Sequence, residues 1–441
     1  MSASAFGPPI DSPRRSVECL SGGRQPSEGS LSQGANASRS DNSRPLLQRR
    51  HPLTPVVGWR WLWGRLPIPE KKAGLPAAQP KGGSTLTAAR VRHMKRCAPR
   101  ILPWSVGLYA IAQIGLFLWL FMDARWQPER IKTEWQKRQA IRACAAEAPD
   151  RPLVVMLGSS RTDWGFQAGR LDGQPGPDGR PIRAYNLGVP AAGPIHESLY
   201  LRNLLDDGIR PRLLLVELIV THFNEPRRGL MSEEGMTEGA WLSASQLAYY
   251  APYFSRPQRK IHDWLEGRLA PAYAFRYHVH RRLQLPAGPR LWDPASQPMD
   301  PWGWRLLIPD TITEDYRAIR WKVARDMYAA SLWRFRFADG PTRAMHELLA
   351  RCRQEQIPVA LVLMPTSASF RSMYHPDAVV ALQRFLNELR ERYGPEVIDA
   401  TEWLDDDGFD DGHHLRRAGA QKFSTRMVEE VQSILARQEE G

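Results

Sequence analysis

The sequence predicts an α/β fold: a three-layer sandwich around a five-stranded, doubly wound parallel sheet, with a transmembrane helix on its N-terminal side and a tryptophan-rich insertion. Three observations predict it. Five short, continuous apolar runs alternate with helical patterns, as in parallel strands covered on both faces. One uncharged stretch, Ile101 to Met122, is long enough to cross a hydrocarbon core of roughly 30 Å. The alternation breaks once, over Pro226 to Gly340, which is too long for a single crossover.

Residues 1–93 are rich in Ser, Pro, Gly and Arg without periodicity and are expected to be disordered, since they cannot bury enough apolar area to offset chain entropy. Two readings stand for them: a cytoplasmic tail, or an over-long gene prediction with translation starting at Met94. Residues 1–100 hold 17 of the 60 Lys and Arg but only 5 of the 47 Asp and Glu, so nearly all of the formal net charge of +13 lies there. The remainder is close to neutral. That leaves no basic folded face and argues against a nucleic-acid partner.

The span itself falls in residues 94–122. Arg90, Arg92, Lys95, Arg96 and Arg100 precede it, whereas Asp123, Glu129 and Glu134 follow it mixed with cations. The positive-inside rule then keeps the N-terminus cytoplasmic, and Trp104, Trp119 and Trp126 mark the interfaces. MetAspAlaArgTrpGln after Phe121 offers no small-residue cleavage site, so an uncleaved signal anchor is expected. Of the four cysteines, Cys19 and Cys97 fall on the cytoplasmic side and Cys144 and Cys352 beyond the membrane; without metal-ligand spacing, the latter two are read as free thiols.

Residues 123–149 have helix-forming composition and are expected as a stalk, with the folded unit over 150–437. The strands are placed at Leu153 to Leu157, Arg183 to Leu187, Leu213 to Leu218, Val359 to Met364 and Glu396 to Ile398. Helices are placed at Ile195 to Leu205, Ala344 to Glu355, Pro376 to Tyr393 and Arg416 to Arg437. The insertion at 226–340 carries Trp241, Trp264, Trp292, Trp302, Trp304, Trp321 and Trp333. It reads either as a lid whose aromatic faces stack on a ligand or as an ordinarily packed subdomain.

Two short motifs carry chemistry. LeuGlySerSerArg at 157–161 closes the first apolar run, where a strand fixes the backbone and a loop exposes the hydroxyl. AspGlyHisHisLeu at 411–415 sets an aspartate three residues before a histidine, close enough to orient the imidazole. A serine, a histidine and an aspartate together suit acyl transfer.

On these two blocks the chain resembles the SGNH (GDSL-like) hydrolase superfamily over roughly residues 150–437 outside the insertion. Within it the chain is similar to the membrane-anchored branch of polysaccharide O-acylation and teichoic-acid D-alanylation proteins. The resemblance implies a flavodoxin-like sheet, with Ser160 as nucleophile, His414 as base and Asp411 as its orienting carboxylate. Asp410 with His413 is the alternative pair at the same spacing. It further implies oxyanion donors from Ser160, from Gly188 in AsnLeuGly, and from Asn224, although His222 stands where the family has a glycine. Ser367, Arg371 and Tyr374, after the fourth strand, are candidates for substrate contact. No cofactor and no metal are implied.

The implied activity is a membrane-anchored serine esterase or O-acyltransferase acting on acyl esters of a cell-envelope glycan. A membrane-bound O-acyltransferase is the implied partner. The alternative is a catalytically degenerate glycan-binding or scaffold module on the same fold.

Overall fold

The computed structural model describes residues 86–122, 127–225, 231–284, 298–306 and 313–440. The basic segment expected to be disordered lies outside these residues except for 86–93, which are helical; Trp126 and Trp292 also lie outside. Among the described residues five strands form one sheet: β1 (Leu153–Gly158), β2 (Arg183–Gly188), β3 (Leu213–Glu217), β4 (Val359–Leu363) and β5 (Glu396–Asp399). All pairings are parallel and the order is β2-β1-β3-β4-β5. The predicted α/β sheet is therefore observed. Its order reverses between β1 and β3, which opens a crevice at the carboxyl edge.

The helices are α1 (Leu86–Met122), α2 (Glu129–Glu147), α3 (Ser160–Gly165), α4 (Pro194–Asp206), α5 (Glu233–Met236), α6 (Ala244–Tyr250), α7 (Pro257–Leu269), α8 (Pro271–Ala274), α9 (Arg276–Gln284), α10 (Glu314–Trp333), α11 (Asp339–Gln354), α12 (Ala368–Arg371), α13 (Pro376–Tyr393) and α14 (Arg417–Glu440). Period-2 alternation along the strands divides the core into two layers. Val155, Leu157, Leu214, Val216 and Leu361 face one side with residues of α2, α4, α11 and α13. Val154, Met156, Leu213, Leu215 and Val362 face the other with Phe423, Met427 and Val431 of α14. Every strand side chain named here is fully buried, which is why the runs read as continuous apolar sequence rather than as alternation. Each contributes roughly 1.5–3 kcal/mol by burial.

The segment expected as a stalk is built into this domain. In α2, Ile141 and Cys144 join the core, and Lys137, fully buried, sits 2.6 Å from Asp163 of α3 and 3.1 Å from the Asn186 side chain of β2. Arg305 of the insertion meets the same Asp163. A buried carboxylate with two cations ties three distant segments together, and its polar residues hid it in a hydrophilic-looking sequence. Burial, with Arg305 beside it, lowers the Lys137 ammonium to about 8 against the pull of Asp163. Cys144 and Cys352 are both free and buried.

The insertion packs against the sheet's carboxyl edge. Glu233 of α5 accepts the N–H groups of Gly193, Ile195 and His196 at the start of α4, a favourable place for a carboxylate. Trp304 Nε1 donates to the Trp164 carbonyl at 2.8 Å, and the Trp302 carbonyl accepts from the Asn186 N–H at 2.8 Å. Trp333 is exposed, whereas Trp241 is buried. In α1, Leu102–Met122 is long and apolar enough to cross a membrane, and only 11% of its most apolar window is buried, unlike a core helix.

Candidate active site

β1 ends at Gly158 and the chain turns at once into α3, making Ser160 the first residue of that helix. Ser159 caps it, its Oγ accepting from the Arg161 N–H at 3.0 Å. A carboxylate behind the turn fixes its shape. Glu217, the last residue of β3, accepts from the Ser159 N–H at 2.8 Å, the Ser159 hydroxyl at 3.1 Å and the Thr162 hydroxyl at 2.7 Å. A Cβ on Gly158 would lie 2.5 Å from that carboxylate, so this close approach requires glycine. Arg161, buried, donates to the Met364 and Pro365 carbonyls at 3.0 and 2.9 Å, pinning the turn to the exit of β4. The Ser160 side chain is left at the carboxyl edge of the sheet.

The loop after β5 returns to it. His414 Nε2 lies 2.9 Å from Ser160 Oγ, and His414 Nδ1 lies 2.8 Å from Asp411 Oδ2. Asp411 Oδ1 also accepts the backbone N–H of His414 at 3.0 Å. Gly412 between them has φ +87°, where a Cβ would come within 2.6 Å of Trp321. The Trp164 indole packs 4.6 Å from the His414 ring. Arg320 of α10 donates to Asp410 at 2.6 Å and to Asp411 at 3.2 Å. Burial pushes the Asp411 carboxyl up, but the hydrogen bonds from His414 and the Arg320 cation hold it well below the usual carboxylate range. With Asp411 ionised, Nδ1 carries the proton and Nε2 is the acceptor facing the serine hydroxyl.

The alternative pair does not form. Asp410 turns to Arg320, and His413 packs between Tyr328 and Phe370 at ring distances of 4.7 and 5.0 Å. His413 Nδ1 stands 3.1 Å from Asp411 without hydrogen-bond alignment, and neither ring nitrogen has a hydrogen-bond partner. Burial drives its pKa well below the ordinary value, so it is a neutral wall of the site.

The oxyanion side differs from the expectation. The Gly188 N–H donates to the Asn186 side chain at 2.9 Å. Gly188 is needed for packing, since a Cβ there would lie 2.4 Å from the Asp163 nitrogen. Asn224 is fully buried; its amide donates to the Ser331 carbonyl at 3.2 Å and accepts from the Arg336 N–H at 3.0 Å. Both its ends are spent on the last turn of α10 and the loop that follows it. Ala191, beyond β2, lies beside Ser160 with φ +63°, a left-handed conformation that costs an alanine about 1 kcal/mol or more. The Ser160 N–H opens α3, where first-turn donors have no partner within the helix.

A cavity of about 150 Å³ adjoins Ser160, walled by Ala191, Met231, Met236, Met327, Tyr328 and Tyr374. Of the three residues expected at substrate, Tyr374 lines this cavity. Ser367 is buried, caps α12 by accepting from the Phe370 N–H at 3.1 Å, and donates its N–H to the Gly412 carbonyl at 2.8 Å. Arg371 donates to the Thr401 carbonyl at 3.0 Å and lines a separate cavity of about 210 Å³. Asp411, His413 and His414 each offer a ligand atom within 4.8 Å of the others, a spacing that a metal ion could use. Arg320 already places a cation there, and His414 has both nitrogens engaged, so the trio fits a proton relay better.

Sequence reasoning missed Glu217, Arg320, Ala191 and the three methionines. A lone carboxylate ending an apolar run was the available signal for Glu217; the others carry no local signal. No family model matches the chain, and no curated protein does. Two solved structures share 11% and 10% identity with it, each at a TM-score of 0.30. The first, described as a candidate acylhydrolase from Bacteroides fragilis, aligns over 68% of this chain and 98% of its own. The second, described as a candidate platelet activating factor from Streptococcus pneumonia, aligns over 69% and 94%. At those scores neither likeness bears on the chemistry of the site.

Proposed function

We propose that this chain is a membrane-anchored serine esterase or O-acyltransferase acting on acyl esters of a cell-envelope glycan. The observation that carries the reading is the continuous line from Ser160 through His414 to the ionised Asp411, at a sheet edge and beside an apolar cavity. His414 takes the hydroxyl proton as Ser160 Oγ attacks the ester carbonyl, and Asp411 stabilises the imidazolium. The oxyanion meets the N–H groups of Ser160 and Ala191. Collapse expels the alcohol with the proton held by His414, leaving an acyl ester on Ser160. Water or a glycan hydroxyl, deprotonated by His414, then releases the acyl group. The apolar α1 helix supports an envelope location, with the basic side cytoplasmic and the site outside. A membrane-bound O-acyltransferase is the donor partner this arrangement suits.

The cavity sets the acyl group: about 150 Å³, the volume that holds a benzene ring, suits chains of up to roughly six carbons. With the full chain in detergent and a p-nitrophenyl ester series, hydrolysis falls off beyond that length, Met327→Ala moves the limit to longer chains, and Ser160→Ala abolishes turnover. Equal turnover by Ser160→Ala would overturn the reading.

A further inference from the structure

The insertion carries an apolar stripe that the catalytic reading does not use. Ile261, Leu265, Leu269, Tyr273 and Tyr277 recur every four residues along α7, α8 and α9, and all are 40–72% exposed. Such a row on a soluble protein is unusual. Two cations beside it are shielded, while Arg259 and His262 on α7 are exposed: the Arg268 guanidinium stacks 3.8 Å from Trp264 and donates to the Leu242 carbonyl at 2.6 Å, and Arg276 stacks on Tyr273 and Tyr277 at 3.7 and 4.4 Å.

What lies beside the stripe decides its role. The second half of α1 packs on these same helices: Leu120 is fully buried against Trp241 and Phe275, with Leu116 and Phe121 around them. Inside the span, the buried Gln113 side chain accepts the Ala272 N–H at 3.1 Å. Gln113 precedes Met122, where the span ends, by nine residues, or about 13 Å along a helix. If α1 crosses the bilayer, the α7–α8 turn stands at that depth beside it, where every polar group needs an internal partner; Gln113 supplies one.

We infer that α7 to α9 form a second membrane-embedded element, seated in the leaflet on the Met122 side with Leu265, Leu269, Tyr273 and Tyr277 in lipid. The occupant of the stripe is acyl chain, because the helices that carry it pack on α1, whose Leu108, Tyr109, Ile111 and Leu118 are themselves exposed, and the tyrosines and stacked arginines suit the interface. The element holds the active-site domain against the bilayer. This rests on α1 being a membrane span and is independent of the chemistry at Ser160.

The test uses the full chain with Cys19→Ser and Cys97→Ser in phosphatidylcholine–phosphatidylglycerol vesicles. One introduced cysteine, from Tyr109→Cys, Leu269→Cys or Val379→Cys, carries an environment-sensitive fluorophore, the buried Cys144 and Cys352 being left in place, and is read against spin-labelled lipids. Tyr109 reports the span, and Val379, exposed on α13, is the soluble control. The expected result is loss of fluorescence at Leu269 comparable to that at Tyr109, with none at Val379. Quenching at Tyr109 with Leu269 matching Val379 overturns the embedded element and leaves the anchor standing. No quenching at either Tyr109 or Leu269 overturns both.

Discussion

The two sides of the site are built in different ways. The proton-relay side is made of side chains from two compact motifs at strand exits, each held by its own turn, and Ser160, His414 and Asp411 meet within 2.9 Å and 2.8 Å. On the oxyanion side the donors we propose, Ser160 and Ala191, are backbone N–H groups, and the residues singled out by pattern, Gly188 and Asn224, have their hydrogen bonds committed elsewhere. A side chain announces its chemistry in the sequence. A backbone N–H announces nothing, because its direction depends on φ and ψ rather than on residue type.

The sharpest break between the two sides is expected at Asp411. Asp411→Asn leaves the loop shape but removes the charge that fixes the imidazole, and kcat falls about 10³–10⁴-fold in ester hydrolysis. Next comes Arg320, a positioning residue that acts through Asp411. Arg320→Ala lowers kcat/KM by about 10–100-fold through misplacement of the relay. Stability follows the same group. The Asp411 carboxyl is depressed in the fold relative to its ordinary value of 3.8, so its contribution is present above that pH and is lost as the pH falls through and below it. In acid titrations followed by circular dichroism, Arg320→Ala unfolds at higher pH than the parent.

On the other side the expected effects are smaller. Asn224→Ala orphans the Ser331 carbonyl and the Arg336 N–H, costing about 1–3 kcal/mol in denaturant unfolding, with kcat changed less than about tenfold. A true oxyanion donor would cost about 10²–10³ in kcat, so the two roles separate cleanly. Ala191→Gly is the mildest: it relieves the left-handed strain, keeps the N–H and retains activity, with a stability change within about 1 kcal/mol.

The same division explains what was legible. Strand and helix positions were readable because burial on both faces leaves unbroken apolar runs; Leu153 opens β1 and Pro376–Tyr393 is a helix as expected. The relay residues were readable because each half lies within five consecutive residues. Arg320 was not, since it meets Asp411 across 91 positions, and no spacing rule reaches that far. Helix-forming composition made α2 read as a stalk, although its Lys137 and Thr133 are buried by contacts visible only in the fold. In the insertion, Trp304 bonds α3 and Trp302 bonds β2, while Met231, Met236, Met327 and Tyr328 face the cavity.

The central claim, an activated Ser160, is tested most directly by labelling the full chain with a fluorophosphonate and locating the adduct by peptide mass. The account predicts one adduct, on Ser160, lost in Ser160→Ala and strongly slowed in His414→Ala. A folded chain that takes no label, or that labels equally without His414, would contradict it and leave a glycan-binding module in its place.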